Sequence, residues 1–167
     1  NSQSKSFKIT LIGDTCVGKT MISNALVDTP FSEEYVPSVG ASMVKIKYNN
    51  KSTGEECNIA LWDTAGQERY QPLASVFFHD SQAAIIVYDV TNEKSFQNVH
   101  TWRELYLENS QSNDKFLIVG NKIDLRAENN SENQDSSSNF ISTEKGKECA
   151  QGINADFLEV SAKTGEN

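Results

Sequence analysis

Phe7-Lys-Ile-Thr-Leu-Ile-Gly-Asp-Thr-Cys-Val-Gly-Lys-Thr20 is the stretch on which the fold turns. Its first half is an apolar run of strand length, and Gly13 to Thr20 matches G-x-x-x-x-G-K-[ST] residue for residue. The two glycines permit a turn whose backbone N–H groups face phosphate oxygens. The following Met21-Ile-Ser-Asn-Ala-Leu-Val27 opens a helix whose N-terminus also favours anions. Asp14, Thr15, Cys16, Val17 and Gly18 therefore read as the phosphate cradle. Lys19 supplies a charge for the β and γ phosphates, and Thr20 a hydroxyl for Mg²⁺. A glycine-rich turn without a ligand is set aside because a strand precedes the loop and a helix follows it.

Around that loop, 167 residues suit a single domain, 1–167, with a sizeable core. Fifteen basic residues against 23 acidic ones give a net charge of -8, and no window gathers enough Lys or Arg to track a nucleic acid backbone. The N-terminus is polar until Phe7, and the longest apolar run, Ala83 to Tyr88, is too short to cross a bilayer, so a soluble domain is expected. Three scattered cysteines, Cys16, Cys57 and Cys149, lack metal-ligand spacing and read as reduced thiols of a cytoplasmic protein. Cys16 carries two readings: a small residue that fits the turn, or a thiol whose modification speeds nucleotide release.

Residues 1–6 read as a flexible N-terminus, and 28–42, with two prolines and no periodicity, as a loop of functional length. Met43–Tyr48 and Cys57–Trp62 read as a hairpin. Ala83–Asp89, Phe116–Gly120 and Ala155–Val160 complete the strands, the first two with the continuous apolar pattern of strands covered on both faces. Between them Thr91 or Asn92 caps a helix carrying Phe96, Val99, Trp102 and Tyr106 as a core stripe, and Ser142 caps another reaching about Gln151. Strands alternating with helices predict an α/β fold with a mostly parallel six-stranded sheet flanked by helices. Residues 126–140 are too polar to bury themselves and read as a mobile loop insertion, either a neutral expansion or a partner site.

Two further motifs select the ligand. Asp63-Thr-Ala-Gly-Gln67 follows a strand end, where Asp63 can hold Mg²⁺ through water, Gly66 can approach a γ phosphate, and Gln67 can orient the attacking water as the catalytic residue. Asn121-Lys-Ile-Asp124 follows another strand end. The Asp124 carboxylate can accept from guanine N1–H and the 2-amino group, which adenine lacks, a difference worth discrimination on the order of 10⁴.

Gly13–Thr20, Asp63–Gln67, Asn121–Asp124 and Ser161-Ala-Lys163, in this order and spacing, resemble the Ras-like small GTPases. Trp62-Asp-Thr-Ala-Gly-Gln-Glu-Arg-Tyr70 and Phe157-Leu-Glu-Val-Ser-Ala-Lys-Thr-Gly-Glu-Asn167 look most like the Rab branch, as a divergent member. The resemblance implies a P-loop G domain that binds GTP or GDP with Mg²⁺ and hydrolyses GTP. In it Phe31 would flank the base, Lys122 would pack on the nucleotide, and Ala162 and Lys163 would complete the base pocket. Ser38, in the first switch, would ligate Mg²⁺ and meet the γ phosphate, with Gly66 holding the second switch. Partners implied are an exchange factor, a GTPase-activating protein, a GDP dissociation inhibitor and effectors, and the setting is the cytosolic face of vesicle or organelle membranes. The membrane would be reached through a lipidated tail that this chain lacks, as it lacks the family's last helix, so a fragment with an exposed apolar strip is expected.

Two positions and one short stretch depart from the family pattern. Thr15 is branched where rapid hydrolysers often carry Gly, which predicts slow turnover, and Ser38 replaces the usual Thr. Val39-Gly-Ala-Ser-Met43 replaces Ile-Gly-Val-Asp-Phe, so the effector-face triad reads Met43, Trp62 and Phe77, the two aromatics serving equally as core. These departures leave an alternative open, a nucleotide-locked module that binds without useful turnover.

Overall fold

The computed structural model describes residues 5–27, 42–64, 71–110, 115–129 and 140–167, with the backbone alone at 71–74 and 127–129. The chain runs β1 (Lys5–Ile12), α1 (Lys19–Ala25), β2 (Ser42–Asn49), β3 (Glu56–Asp63), α2 (Gln71–Phe78), β4 (Ala83–Asp89), α3 (Glu93–Gln97), α4 (Val99–Asn109), β5 (Phe116–Asn121), α5 (Asp124–Asn129), α6 (Thr143–Gly152) and β6 (Asp156–Val160). The strands form one sheet in the order β2-β3-β1-β4-β5-β6. β2 pairs antiparallel with β3, and every other pairing is parallel. The six-stranded, mostly parallel sheet expected from the alternating pattern is the one observed.

This order positions the site. β1 lies between β3 and β4, so the chain leaves it to build one half of the sheet and returns to build the other. Ligands of open α/β sheets bind at the carboxyl ends of strands beside such a switch point. The motifs at the ends of β1, β3, β5 and β6 all emerge at that edge because these strands are parallel.

Alternation along β4 explains its unbroken apolar run. Ile86 and Tyr88 face one core with Phe96, Val99, Trp102, Tyr106 and Phe116. Val87 faces a second core with Leu11, Val17, Leu61, Val119 and Val160. Tyr106 packs against Phe78 and Phe116 at centroid separations of 5.5 and 5.4 Å, and its hydroxyl donates to Ser81 O at 3.1 Å. Burying a side chain of this size contributes on the order of 2–3 kcal/mol. The expected stripe is therefore core, as its spacing predicts.

Local differences have physical causes. β1 begins at Lys5, so Lys5 and Ser6, read as flexible, are strand, paired in register with Cys57 and Asn58. Backbone pairing there needs no apolar side chain, which is why the pattern began only at Phe7. The helix from Asn92 divides at Asn98 into α3 and α4, with Asn92 capping Ser95 N at 3.1 Å. Ser142 caps α6 as expected, accepting from Lys145 N at 3.2 Å. The polar insertion starts later than its composition indicates. Residues 126–129 continue α5, and Arg126 is anchored to Glu159, Thr143 and the Ile141 carbonyl. Residues 130–139 lie outside the described residues. A groove of mixed character runs between Ile22 and Ala25 of α1 with Leu26 after it, and Val160, Ser161, Ala162, Glu166 and Asn167.

Candidate nucleotide site

The phosphate loop leaves β1 through Gly13, whose φ of +145° and approach to β4 exclude a side chain: an added Cβ would meet Val87 O at 2.3 Å. Lys19 is 5% exposed and its ammonium returns across the loop to Gly13 O at 2.9 Å and Asp14 O at 2.7 Å. Thr20 Oγ1 donates to Asp63 Oδ2 at 2.7 Å, which brings the loop and the end of β3 together. Thr64 ties the same strand end to β1, its Oγ1 donating to Leu11 O at 2.8 Å.

Asp63 is fully buried, and burial raises its carboxyl above the ordinary value against the opposing pull of the Thr20 hydrogen bond, the Lys19 ammonium and the Ser42 side chain. Among the described residues its Oδ1 has no hydrogen-bond partner. A buried acceptor left open beside a hydroxyl and a lysine fits the donor set of a hard cation that prefers oxygen ligands.

At the other end of the loop, Asn121 is 2% exposed and acts as a joint. Its Nδ2 donates to Val17 O at 2.9 Å, and its Oδ1 accepts from Ala162 N at 3.2 Å. Lys122, at φ +69°, donates to Cys16 O at 2.8 Å and pairs with Asp89 at 2.6 Å. Ser161 Oγ donates to Asp124 Oδ1 at 2.6 Å. Gly18, Asn121, Lys122, Asp124, Ala162 and Lys163 share the walls of one cavity of about 130 Å³ with Met21 and Leu125.

The structure thus brings together Asp14 to Thr20, Asp63, Asn121, Lys122, Asp124 and Ser161 to Lys163. Phe31, Ser38, Gly66 and Gln67 lie outside the described residues. Thr15 and Cys16 are exposed, with Cys16 at φ +66° and its thiol free. Met43 pairs across the hairpin with Trp62 and is 45% exposed, while Trp62 is half-buried under the Lys8 ammonium, 4.8 Å from the ring centroid. Phe77 is partly buried against the larger core.

Sequence reasoning missed Met21 and Leu125 as pocket walls, Asp89 as the partner of Lys122, and Asn98 and Trp102, which both reach Asp14. Asp89 carried a signal, since it ends β4 at the same sheet edge. Trp102 carried none, because a core stripe does not say where an indole N–H points.

Lys19, Thr20 and Asp63 gathered at one sheet edge, with a pocket walled by Gly18, Asn121 and Asp124 at the same edge, are the arrangement of a P-loop G domain. The model of the Ras family matches residues 8–167. The chain is 36% identical to the Ras-related protein RabC of Dictyostelium discoideum over 157 residues, 94% of this chain and 75% of that protein. It is 34% identical to RABG3f of Arabidopsis thaliana over 167 residues, 96% of this chain and 75% of the relative. Mouse Rab-21 is 36% identical over 158 residues, 95% of this chain and 66% of that protein. The chain belongs to the Ras family of small GTPases, as a divergent Rab-like member.

It is accordingly a GTP-binding protein that hydrolyses GTP to GDP, of the switch class that serves membrane trafficking with regulators and effectors as partners. Among the described residues no helix is long and apolar enough to cross a membrane.

Proposed function

We propose that this G domain is a slowly hydrolysing timer whose phosphate end is Lys19, Thr20 and Asp63 and whose base end is Asn121, Asp124 and Ser161–Lys163. The observation that carries the reading is the Thr20–Asp63 hydrogen bond of 2.7 Å beside a buried Asp63 oxygen that has no partner among the described residues. This pair, with Ser38, would hold Mg²⁺. When bound, the ion would neutralise charge on the β and γ phosphates. The chain's own groups do the rest. Lys19 offers its ammonium to the same phosphates, exchanging backbone carbonyl partners for phosphate oxygens. The loop amides of Asp14 to Gly18 cradle them. Asp124, oriented by Ser161, accepts from the two donors on the guanine edge, and Lys122 lies along the pocket wall with its ammonium held by Cys16 O and Asp89.

Gln67 orients the attacking water, and Thr15, branched and exposed at the loop, crowds the space Gln67 needs. Turnover unaided is therefore slow, and a partner supplying an arginine accelerates it by about 10³ to 10⁵. In the GTP state Ser38 and Gly66 hold the two switch segments against the γ phosphate, and effectors read that state through a face including Met43, Trp62 and Phe77. Exchange factor, activating protein and dissociation inhibitor complete the cycle on the cytosolic face of vesicle or organelle membranes.

Single-turnover hydrolysis of bound GTP with Mg²⁺, followed by chromatography, tests this reading. Slow decay to GDP in the parent and slower decay in Gln67→Leu supports the timer. GTP retained equally by both proteins refutes it and leaves a nucleotide-locked module.

A further inference from the structure

Both carboxylate oxygens of Asp14 are engaged by the first turn of α4 and the residue that precedes it. Asn98 Nδ2 donates to Oδ2 at 2.6 Å, and Trp102 Nε1 donates to Oδ1 at 2.7 Å. The two donors are four residues apart, hence on one face of the helix. Trp102 is 2% exposed, so its N–H is fixed in direction by the core around the ring. Bonds to an ionised acceptor at these lengths are among the stronger hydrogen bonds in a protein.

The backbone of the same residue is equally committed. Asp14 O accepts from Lys19 Nζ at 2.7 Å. The carboxylate is thus clamped on α4 while the carbonyl holds the ammonium that faces the phosphates. A turn of Asp14 about its backbone would release both at once. A free carboxylate in this loop would also oppose the charge of a bound triphosphate. Drawing it onto two donors holds that charge against the helix.

We propose that Asn98 and Trp102 are positioning residues for nucleotide retention, acting through Asp14 on the placement of Lys19, so that α4 is a lever on nucleotide release. This rests on the assignment of the phosphate loop made above. Neither residue touches the nucleotide; each acts through the carboxylate it holds.

The test is the release rate of a fluorescent GDP analogue in excess Mg²⁺ from the parent, Asp14→Asn, Asn98→Asp and the double variant. Asp14→Asn sets amide against amide, and Asn98→Asp sets carboxylate against carboxylate. The double variant restores a donor opposite an acceptor, with the amide oxygen at position 14 still open to Trp102. Each single change speeds release by about tenfold or more, the scale of one lost charge-assisted bond. The double change returns the rate to within about threefold of the parent, a coupling that additive packing defects do not produce. Equal rates in all four proteins, or a double variant faster than either single, overturns the proposal.

A second measurement uses the parent alone and so survives a variant that fails to fold. The indole N–H resonance of Trp102, assigned from triple-resonance spectra of the isotope-labelled parent, shifts and exchanges faster with water when nucleotide is stripped. An unmoved resonance overturns the lever. Lys19→Ala separates the two levels: if it binds GDP like the parent, the loop assignment itself fails. If it loses GDP while the swaps are silent, the lever alone fails.

Discussion

The Asn121 amide occupies the space in which a side chain on Gly18 would sit. A Cβ built on Gly18 meets Asn121 Nδ2 at 2.2 Å, and that nitrogen donates to Val17 O at 2.9 Å. The base motif and the phosphate loop are therefore joined by direct contact at a position whose φ is +101°.

Gly18→Ala consequently carries two penalties, a strained left-handed backbone and a displaced amide. GDP affinity falls by about 10² or more, the equivalent of roughly 3 kcal/mol. Equilibrium titration with a fluorescent nucleotide checks this, with circular dichroism confirming that the sheet persists. Affinity within a few-fold of the parent would show that the amide can move aside freely.

Ser161 sets the direction of Asp124. Its Oγ donates to Asp124 Oδ1 at 2.6 Å while accepting from Thr164 N at 3.1 Å, so the hydroxyl is fixed from both sides. Ser161→Ala leaves the carboxylate in place but free to rotate. The preference for GTP over ATP, measured by competition against labelled GDP, drops by about tenfold, the scale of one hydrogen bond to a charged group. Unchanged preference would show that Asp124 is held by its backbone alone.

Gly13–Thr20, Asp63, Asn121 and Asp124 were legible in the sequence because their chemistry requires fixed residue types at fixed short spacings, and the strand ends that carry them follow from apolar runs. The braces were not. Asp14–Trp102 and Lys122–Asp89 join residues 88 and 33 positions apart, and no local pattern encodes which two loops a parallel sheet brings to one edge. Arg126 was misread for a related reason. The polar composition after it masks a helix whose anchor, Glu159, lies across the insertion on β6. Lys5 and Ser6 escaped because strand pairing is a backbone property.

Arg126 and Glu159 close the base of the insertion, paired at 2.7 Å with side chains 22% and 13% exposed, and Thr143 Oγ1 donates to the second Glu159 oxygen at 2.7 Å. Glu159→Ala strands a largely buried guanidinium and costs about 3 kcal/mol in urea unfolding of the GDP complex, at unchanged slope. Replacing both partners, Arg126→Met with Glu159→Leu, recovers most of that loss because no charge is left unpaired. A double variant as unstable as the single would place the value of the site in its hydrogen bonds to Thr143 and Ile141 rather than in the ion pair.

Tyr88 supplies the pH dependence. Its hydroxyl is fully buried and has no hydrogen-bond partner among the described residues, wedged where side chains on Gly120 and Gly146 would fall. Burial, reinforced by the Glu159 charge and partly opposed by Arg126, raises its ionisation well above the ordinary value of 10.0. Above pH 10 the unfolded chain releases this proton while the folded chain retains it. The folded state then binds more protons, and stability falls as pH rises, by up to about 1.4 kcal/mol per unit for this group. Tyr88→Phe removes that loss and, by deleting an unsatisfied buried hydroxyl, matches or exceeds the parent by about 1 kcal/mol at pH 7. Urea unfolding of both GDP-bound proteins between pH 7 and 11 shows the gap widening above pH 10. A constant gap across that range would mean that the hydroxyl ionises in the folded protein as it does in water.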